Sequence, residues 1–493
     1  MTQQIQFINQ FKRQYAGALD PDIIFATKAE MQDYLINPLR YAGMIVTCNE
    51  LEGKIFVLNN AKTVWTDVVG GYNYYNMWYG VKMLVGQTSP TLTRIGNTDL
   101  HKVAGGLPVN TKMRRCLVKN GVVNYYLHPT NSALRDTGSA AILNGTDGDV
   151  MVEIPAFYIR FYTEVSGSNL YNCVAVSEYP LIGFKLVEKH YISAYEASLN
   201  RSTLVAYSVA NNTATYRGGN NNAAYDAGVN TLLGSPVTTL TRANERAYAA
   251  AKGTGWCEEP FEYYGYWRWL FVIEYATTNS QLAVNATLTA EGYRQGGLGN
   301  GIIDAVSAEW NTFNTYNPFC PCGTSNSLGN QTGEVSLVKT DFGGAGVNRT
   351  FKCNSYRGIE NPFGHLYKRL EGININKTGG KAYAYGKKGV SGFADGTATG
   401  YTLLGELPVA DGYILNQMFG EDGIMLPLTV GGGASSSAGW CDYYYYPTAD
   451  GWTAPLSSAT AFTGGYAGLA YVYASTSAAA AYAHFGFRLC FKP

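Results

Sequence analysis

The last 63 residues, Gly431 to Pro493, constrain this chain more than any other stretch of it. Four consecutive tyrosines, Tyr443 to Tyr446, sit among Ala, Ser, Gly and Thr, and the chain then closes on Phe485-Gly486-Phe487-Arg488-Leu489-Cys490-Phe491. Successive residues of a strand face opposite sides of a sheet, so four tyrosines in a row cannot all enter a single-faced core. Pro447 and the flanking Gly439 and Gly451 point to a loop that turns several rings outward. Tyrosine offers amphipathic contact area at small rotamer cost, while Ser, Gly and Ala let a partner approach. The closing segment reads as a buried strand. The pair predicts a binding surface pinned by a core strand, with a packed or oligomer-interface patch as the other reading of the tyrosines.

The chain's 493 residues are enough for several domains with ample cores. With 14% aromatic and only 15% charged residues, it is neither a disordered chain nor a coiled coil. The 57 glycines and 39 tyrosines favour a loop-rich, β-containing protein over a helical bundle. Basic and acidic residues number 36 each, and no basic stripe appears, which argues against a nucleic-acid partner. The start, MTQQIQFINQFKRQYAG, carries no apolar signal region, so the chain is expected to fold in a cytoplasm. The stretch Gly464 to Phe487 lacks Asp, Glu, Lys and Arg but is poor in Leu, Ile and Val, so membrane insertion is not expected. The nine scattered cysteines read as reduced, buried small hydrophobes.

Residues 1–70 read as a small module. A short helix is expected at Met31 to Leu35 and paired strands at Tyr41 to Thr47 and Lys54 to Leu58, with a turn at Asn49 to Gly53. A Gly/Tyr/Asn-rich neck at Gly70 to Gly80 opens a β-rich connecting module that runs to residue 145. A third domain spans 146–493. Strands are expected at Cys116 to Val118, Gly121 to Leu127 and Met151 to Tyr162, with a turn at Asn144 to Asp149. Two helices are expected. One runs from an N-cap at Thr241 to a stop at Gly253, and the other follows Pro260 to Tyr275. The fold class is α+β: two helices against small antiparallel sheets, preceded by small β-rich modules.

Chemistry finds little support. The five histidines are isolated and show no metal-ligand spacing. Cys320-Pro321-Cys322 lacks the further ligands of a metal site and reads as two loop thiols. Gln295-Gly-Gly-Leu-Gly-Asn-Gly301 lacks the strand and helix of a phosphate cradle. Asp147 and Asp149 lack the bidentate glutamate of a calcium loop, and Glu258-Glu259 has no fixed separation for glycoside chemistry. No catalytic residue, no metal ligand and no cofactor is assigned, with a structural calcium left open. The chain is not expected to be an enzyme.

Several segments together resemble a known domain. Met151-Val-Glu-Ile-Pro-Ala-Phe-Tyr158, Tyr195-Glu-Ala197 and the helix ahead of Gly255-Trp256 are similar to parts of a C-type-lectin-like domain of the formylglycine-generating-enzyme type. So are Leu270 to Gln281, Tyr356-Arg-Gly-Ile-Glu-Asn-Pro-Phe-Gly-His365, Glu371-Gly-Ile-Asn374 and the closing Gly486-Phe-Arg-Leu-Cys490. With a small-residue and aromatic segment before the last strand, the order resembles the variable proteins of diversity-generating retroelements, phage receptor-binding proteins among them. The resemblance covers roughly residues 91–493. It implies a fixed scaffold and a diversified surface within about 434–486. Carried onto this chain, the variable receptor-binding positions are Trp440, Asp442, Tyr443, Tyr444, Tyr445, Tyr446, Tyr466, Tyr471, Tyr473, Ala480, Tyr482 and His484.

The resemblance implies a phage tail-fibre or tail-tip protein, resident in the virion, that adheres to a host-cell surface receptor of protein or glycan. The N-terminal module would join other tail proteins, and the chain would form a homotrimer. The alternatives are a host-encoded diversified adhesin and, further off, a glycan-degrading tailspike enzyme. The oxidase branch of the fold is disfavoured, because no match to its paired active-site cysteines is present.

Overall fold

The computed structural model describes residues 24–42, 44–51, 54–59, 61–67, 77–226, 228–303, 310, 313, 317–340 and 348–493. The chain divides into two compact units, Met1–Met77 and Trp78–Pro493. Three α-helices stand among many short strands in the described residues, so the architecture is α+β with strands dominant.

In the first unit, Thr27 caps α1 (Lys28–Asp33): its side chain accepts from the Glu30 N–H while the Glu30 carboxylate reaches back. Strands Ile24–Phe25, Ile45–Cys48, Lys54–Leu58 and Trp65–Asp67 form one sheet in that order. Alternation sends Phe25, Val46, Cys48, Phe56 and Leu58 into a core with Met31, Met44 and Trp65. The other face carries Ile24, Ile45 and Ile55, exposed by 45%, 57% and 42% among the described residues. The Ile45–Cys48 and Lys54–Leu58 pairing matches the expected hairpin. The expected turn lies only partly within the described residues, and most of the Gly70 to Gly80 neck lies outside them.

The second unit is organised around α3 (Phe261–Tyr275), which begins straight after Pro260, as the sequence predicts, and ends at Ala276 in the left-handed region. Its buried residues, Trp267 and Leu270 among them, pack with strands Trp78–Leu84 and Asn169–Ser177 in the main core. The helix α2 (Arg242–Ala250) is capped by Thr241, whose hydroxyl accepts from the Asn244 N–H. A seven-stranded sheet runs Trp256–Glu258, Leu489–Phe491, His190–Ser193, Asp149–Ile154, Arg114–Lys119, Val122–His128, Asn131–Arg135. A five-stranded sheet runs Lys185–Val187, Phe157–Ser166, Asn169–Ser177, Trp78–Leu84, Thr93–Gly96. The boundary expected near residue 145 falls inside these sheets, because strands on both sides of it are hydrogen-bonded to one another.

Two further departures are single expected strands that prove to be two. The single strand expected over Met151 to Tyr162 is two, Asp149–Ile154 and Phe157–Ser166, in different sheets. Pro155 lies in the break and has no N–H to give to a ladder. The closing segment also divides. Phe485–Gly486 pairs parallel with Tyr367–Arg369, whereas Leu489–Phe491 sits between His190–Ser193 and Trp256–Glu258. Between them, the Arg488 guanidinium donates to the carbonyls of Ser193 (3.0 Å), Asn361 (3.0 Å) and Glu360. One buried side chain thereby ties the end of the chain to the strand His190–Ser193 and to the end of the strand Ile359–Glu360.

Candidate tyrosine-lined binding surface

The tyrosine run forms a strand, Tyr443–Tyr445, and not the expected loop. It lies inside a second seven-stranded sheet, ordered Pro427–Val430, Gly412–Gln417, Tyr443–Tyr445, Val472–Tyr473, Leu456–Ser457, Tyr367–Arg369, Phe485–Gly486. Strand alternation then sorts the rings. Tyr444 points inward, fully buried, and donates its hydroxyl to the Pro408 carbonyl at 3.1 Å. Tyr443 and Tyr445 point the other way and are half-buried, their rings 4.7 Å apart.

Neighbouring strands extend that outward face by register. Tyr413 pairs with Tyr443 and Tyr445 with Tyr473, at ring separations of 5.1 and 5.4 Å. Tyr466, 40% exposed, closes on Tyr443 at 4.5 Å. Tyr473 leads on to the buried Tyr367 at 5.7 Å, and from there to His484 at 5.6 Å and to Tyr482, which stacks on His484. The result is a strip of contiguous rings. Beside it Tyr446 hangs on Asp411, whose carboxylate accepts the Tyr446 N–H at 2.9 Å, and Ala480 is half-buried.

Of the twelve positions carried over from the resemblance, Tyr443, Tyr445, Tyr446, Tyr466, Tyr473, Ala480 and Tyr482 therefore have exposed surface. Five do not, which corrects their expected placement: Trp440, Asp442, Tyr444, Tyr471 and His484 are each less than 5% exposed. Trp440 packs edge-on against Trp269 of α3 at 5.7 Å. The Asp442 carboxylate accepts the Ala470 N–H at 2.6 Å and crowds Gly468, where a Cβ would come within 1.9 Å of it. Burial pushes that carboxyl well above its usual range. Tyr471 places its hydroxyl 2.9 Å from that of Tyr367. Burial lowers His484 to about 4, so its ring is neutral near neutral pH. These five hold the floor beneath the strip.

Tyr413 and Tyr367 join the strip but were not among the sequence candidates. Both belong to strands whose pairing with the C-terminal segment bridges long stretches of sequence, so only the register reveals them.

The segments that carry the lectin-like resemblance meet in the core below. The Glu196 carboxylate takes Lys368 at 3.0 Å and a hydrogen bond from His365 Nδ1, while His365 Nε2 accepts the Cys320 N–H at 3.0 Å. Burial alone would raise the Glu196 carboxyl, but its contacts with His365 and Lys368 hold it down to about 2. Cys320 and Cys322 are buried loop thiols, as expected, with Cys322 Sγ 3.7 Å from the Ser198 hydroxyl. Asp149 is paired with Lys252 at 2.7 Å, and Asp147 takes Tyr125 and Arg135, so both carboxylates are engaged by the protein itself. Among the described residues no group of three or more His, Cys, Asp or Glu is placed to hold a metal ion. Nor is any helix among them long and apolar enough to cross a membrane.

A strip of tyrosine rings presents apolar faces with phenol groups at their edges, which suits reversible contact with a protein or a glycan. No protein-family model matches the chain, and no curated protein matches it.

Proposed function

We propose that this chain is an adhesion protein of the phage tail-fibre or tail-tip kind, which binds a host-cell surface receptor through the tyrosine strip. The observation that carries the reading is the division of labour within residues 434–486: outward Tyr443, Tyr445, Tyr466 and Tyr473 lie over inward Trp440, Asp442, Tyr444 and Tyr471. Outer rings can change without disturbing the floor, as a diversified surface requires. We read the unit Trp78–Pro493 as a C-type-lectin-like scaffold. Its support is the convergence of the resembling segments through Glu196, His365 and Arg488. In this reading the protein resides in the virion, joins other tail proteins through its first unit and acts as a homotrimer. Several weak contacts then combine, since a tethered second contact forms at roughly millimolar effective concentration.

The test is capture of host envelope components by the intact chain and by a variant with Tyr443, Tyr445, Tyr466 and Tyr473 changed to Ala. Capture is expected to be lost in the variant while its thermal unfolding is retained. Undiminished capture removes the strip from consideration. Sequencing of the source population should also place substitutions at the outward positions, and an even spread along the chain contradicts the diversified-surface reading.

A further inference from the structure

A cavity of about 410 Å³ opens beside α3 and shares no residue with the tyrosine strip. One wall is the helix face that carries Phe261, Gly265 and Trp269, spaced four residues apart. Leu404, Ile424 and Met425 also line it. Glycine inside a helix is unfavourable relative to alanine, and a close neighbour is the usual reason to keep it. Gly265 has no such neighbour: a Cβ placed there meets nothing within 4 Å beyond the helix's own backbone. The space over Gly265 is cavity that any larger side chain would fill.

Glu262 and Lys387 line this cavity without an ion-pair partner among the described residues, as does the buried Arg268, whose guanidinium is turned to the Tyr264 and Leu469 carbonyls. The Glu262 carboxylate accepts only from the Gly389 N–H and the Tyr266 hydroxyl, both at 3.0 Å. The Lys387 ammonium donates to the Gly392 carbonyl and lies 5.9 Å from the Tyr401 ring centre. Lys388 and Asp422, by contrast, pair with each other at 2.9 Å. Gly389, which holds Glu262, follows Lys387 by two residues, so the carboxylate and the ammonium belong to one wall. The volume sits at the lower end of the range for small-molecule sites, about 300–1,000 Å³.

We propose that this cavity binds a small apolar zwitterion, of which a free aromatic or branched aliphatic amino acid is the simplest case. Its ammonium meets Glu262, its carboxylate meets Lys387, and its side chain lies over Gly265 beside Phe261 and Leu404. A ligand with one charge would leave one of the two protein charges unanswered.

Calorimetric titration of the full chain with L-phenylalanine and L-leucine tests this. Saturable binding is expected. Phenethylamine and phenylacetate, each lacking one of the two charges, should bind at least tenfold more weakly, about 1.4 kcal/mol. Lys387→Met should weaken L-phenylalanine equally and leave phenethylamine unchanged. Gly265→Leu should abolish binding with the circular dichroism spectrum retained. Tyr443→Ala should leave binding intact, which separates this site from the adhesion surface. The proposal is overturned if neither amino acid binds more tightly than about 1 mM. It is equally overturned if the single-charge analogues bind as well, if Gly265→Leu still binds, or if only a neutral disaccharide does.

Discussion

Tyr443 and Tyr444 are neighbours in sequence with opposite surroundings, and the contrast gives the sharpest test of the strip. Tyr444 is fully enclosed and its hydroxyl has a carbonyl partner, so Tyr444→Ala should cost roughly 3–5 kcal/mol of stability, the range for deleting a buried aromatic. Tyr443 stands half-buried among other rings, and Tyr443→Ala should cost about 1 kcal/mol or less while weakening receptor capture. Chemical denaturation and capture, measured on both variants, check the pair. Buried carboxyls give a second expectation. Burial raises Glu245 to about 7 despite its contact with Arg369, and burial also raises Glu258 well above the ordinary carboxylate range. A carboxyl raised on folding contributes stability that is complete below its unfolded value, near 4.5, and is lost as pH climbs through its folded one. Glu196, held down to about 2, acts in the opposite sense, and its contribution disappears as pH falls from about 4.5 to 2. Stability should therefore fall between pH 4.5 and 7, by about 3 kcal/mol from Glu245 alone. Denaturation midpoints across that window should flatten in Glu245→Gln.

At the scale of elements, the starts of α2 and α3 were legible because capping chemistry is local, with Thr241 and Pro260 announcing them in the sequence itself, whereas α1, expected at Met31 to Leu35, begins at Lys28 behind Thr27. The hairpin from Ile45 to Leu58 was legible for the same reason, since alternation and a short connection suffice. The closing segment was not. Its apolar residues read as one strand, yet Phe485–Gly486 and Leu489–Phe491 serve different sheets, and their partners lie more than a hundred residues away. Face assignment in the tyrosine region failed in part for the same reason. Two- and three-residue strands such as Val472–Tyr473 carry too little alternation to reveal which side is buried, so Tyr471 and His484 looked like surface. The junction at Arg488 has a measurable consequence. Arg488→Met keeps the length of the side chain but leaves the carbonyls of Ser193, Glu360 and Asn361 without their buried donor. A loss of several kcal/mol is expected, because each of the three orphaned groups costs about 1–3 kcal/mol. Thermal unfolding should show it, and a change near zero would mean that the two sheets do not depend on this side chain.

For the whole molecule, the adhesion reading needs several copies acting together, and the first unit carries a surface suited to assembling them. Ile24, Thr47 and Ile55 lie in one row across its sheet, and Ile45 pairs with Val57 in the next, all on the face opposite its small core. Isolated apolar residues on a surface are ordinary, but a contiguous aliphatic sheet face marks a place of contact. Such a face bears no charge to select a partner of opposite sign, so a second copy of the same face meets it as well as any other surface does. Burial in an assembly would cover the apolar area that this face exposes among the described residues. Light scattering on the full chain should return the mass of a trimer. Ile45→Lys combined with Ile55→Lys should return the mass of a monomer, because a lysine directed into a dry contact must lose its hydration or break the contact. The variant should keep its fold, since both side chains point away from Met31, Phe56 and Trp65. It should also bind host envelope more weakly than the wild type while each tyrosine strip stays intact, which is the signature of lost avidity rather than of a lost site. A wild-type chain that stays monomeric at every concentration would end the trimer expectation and leave adhesion to the single strip.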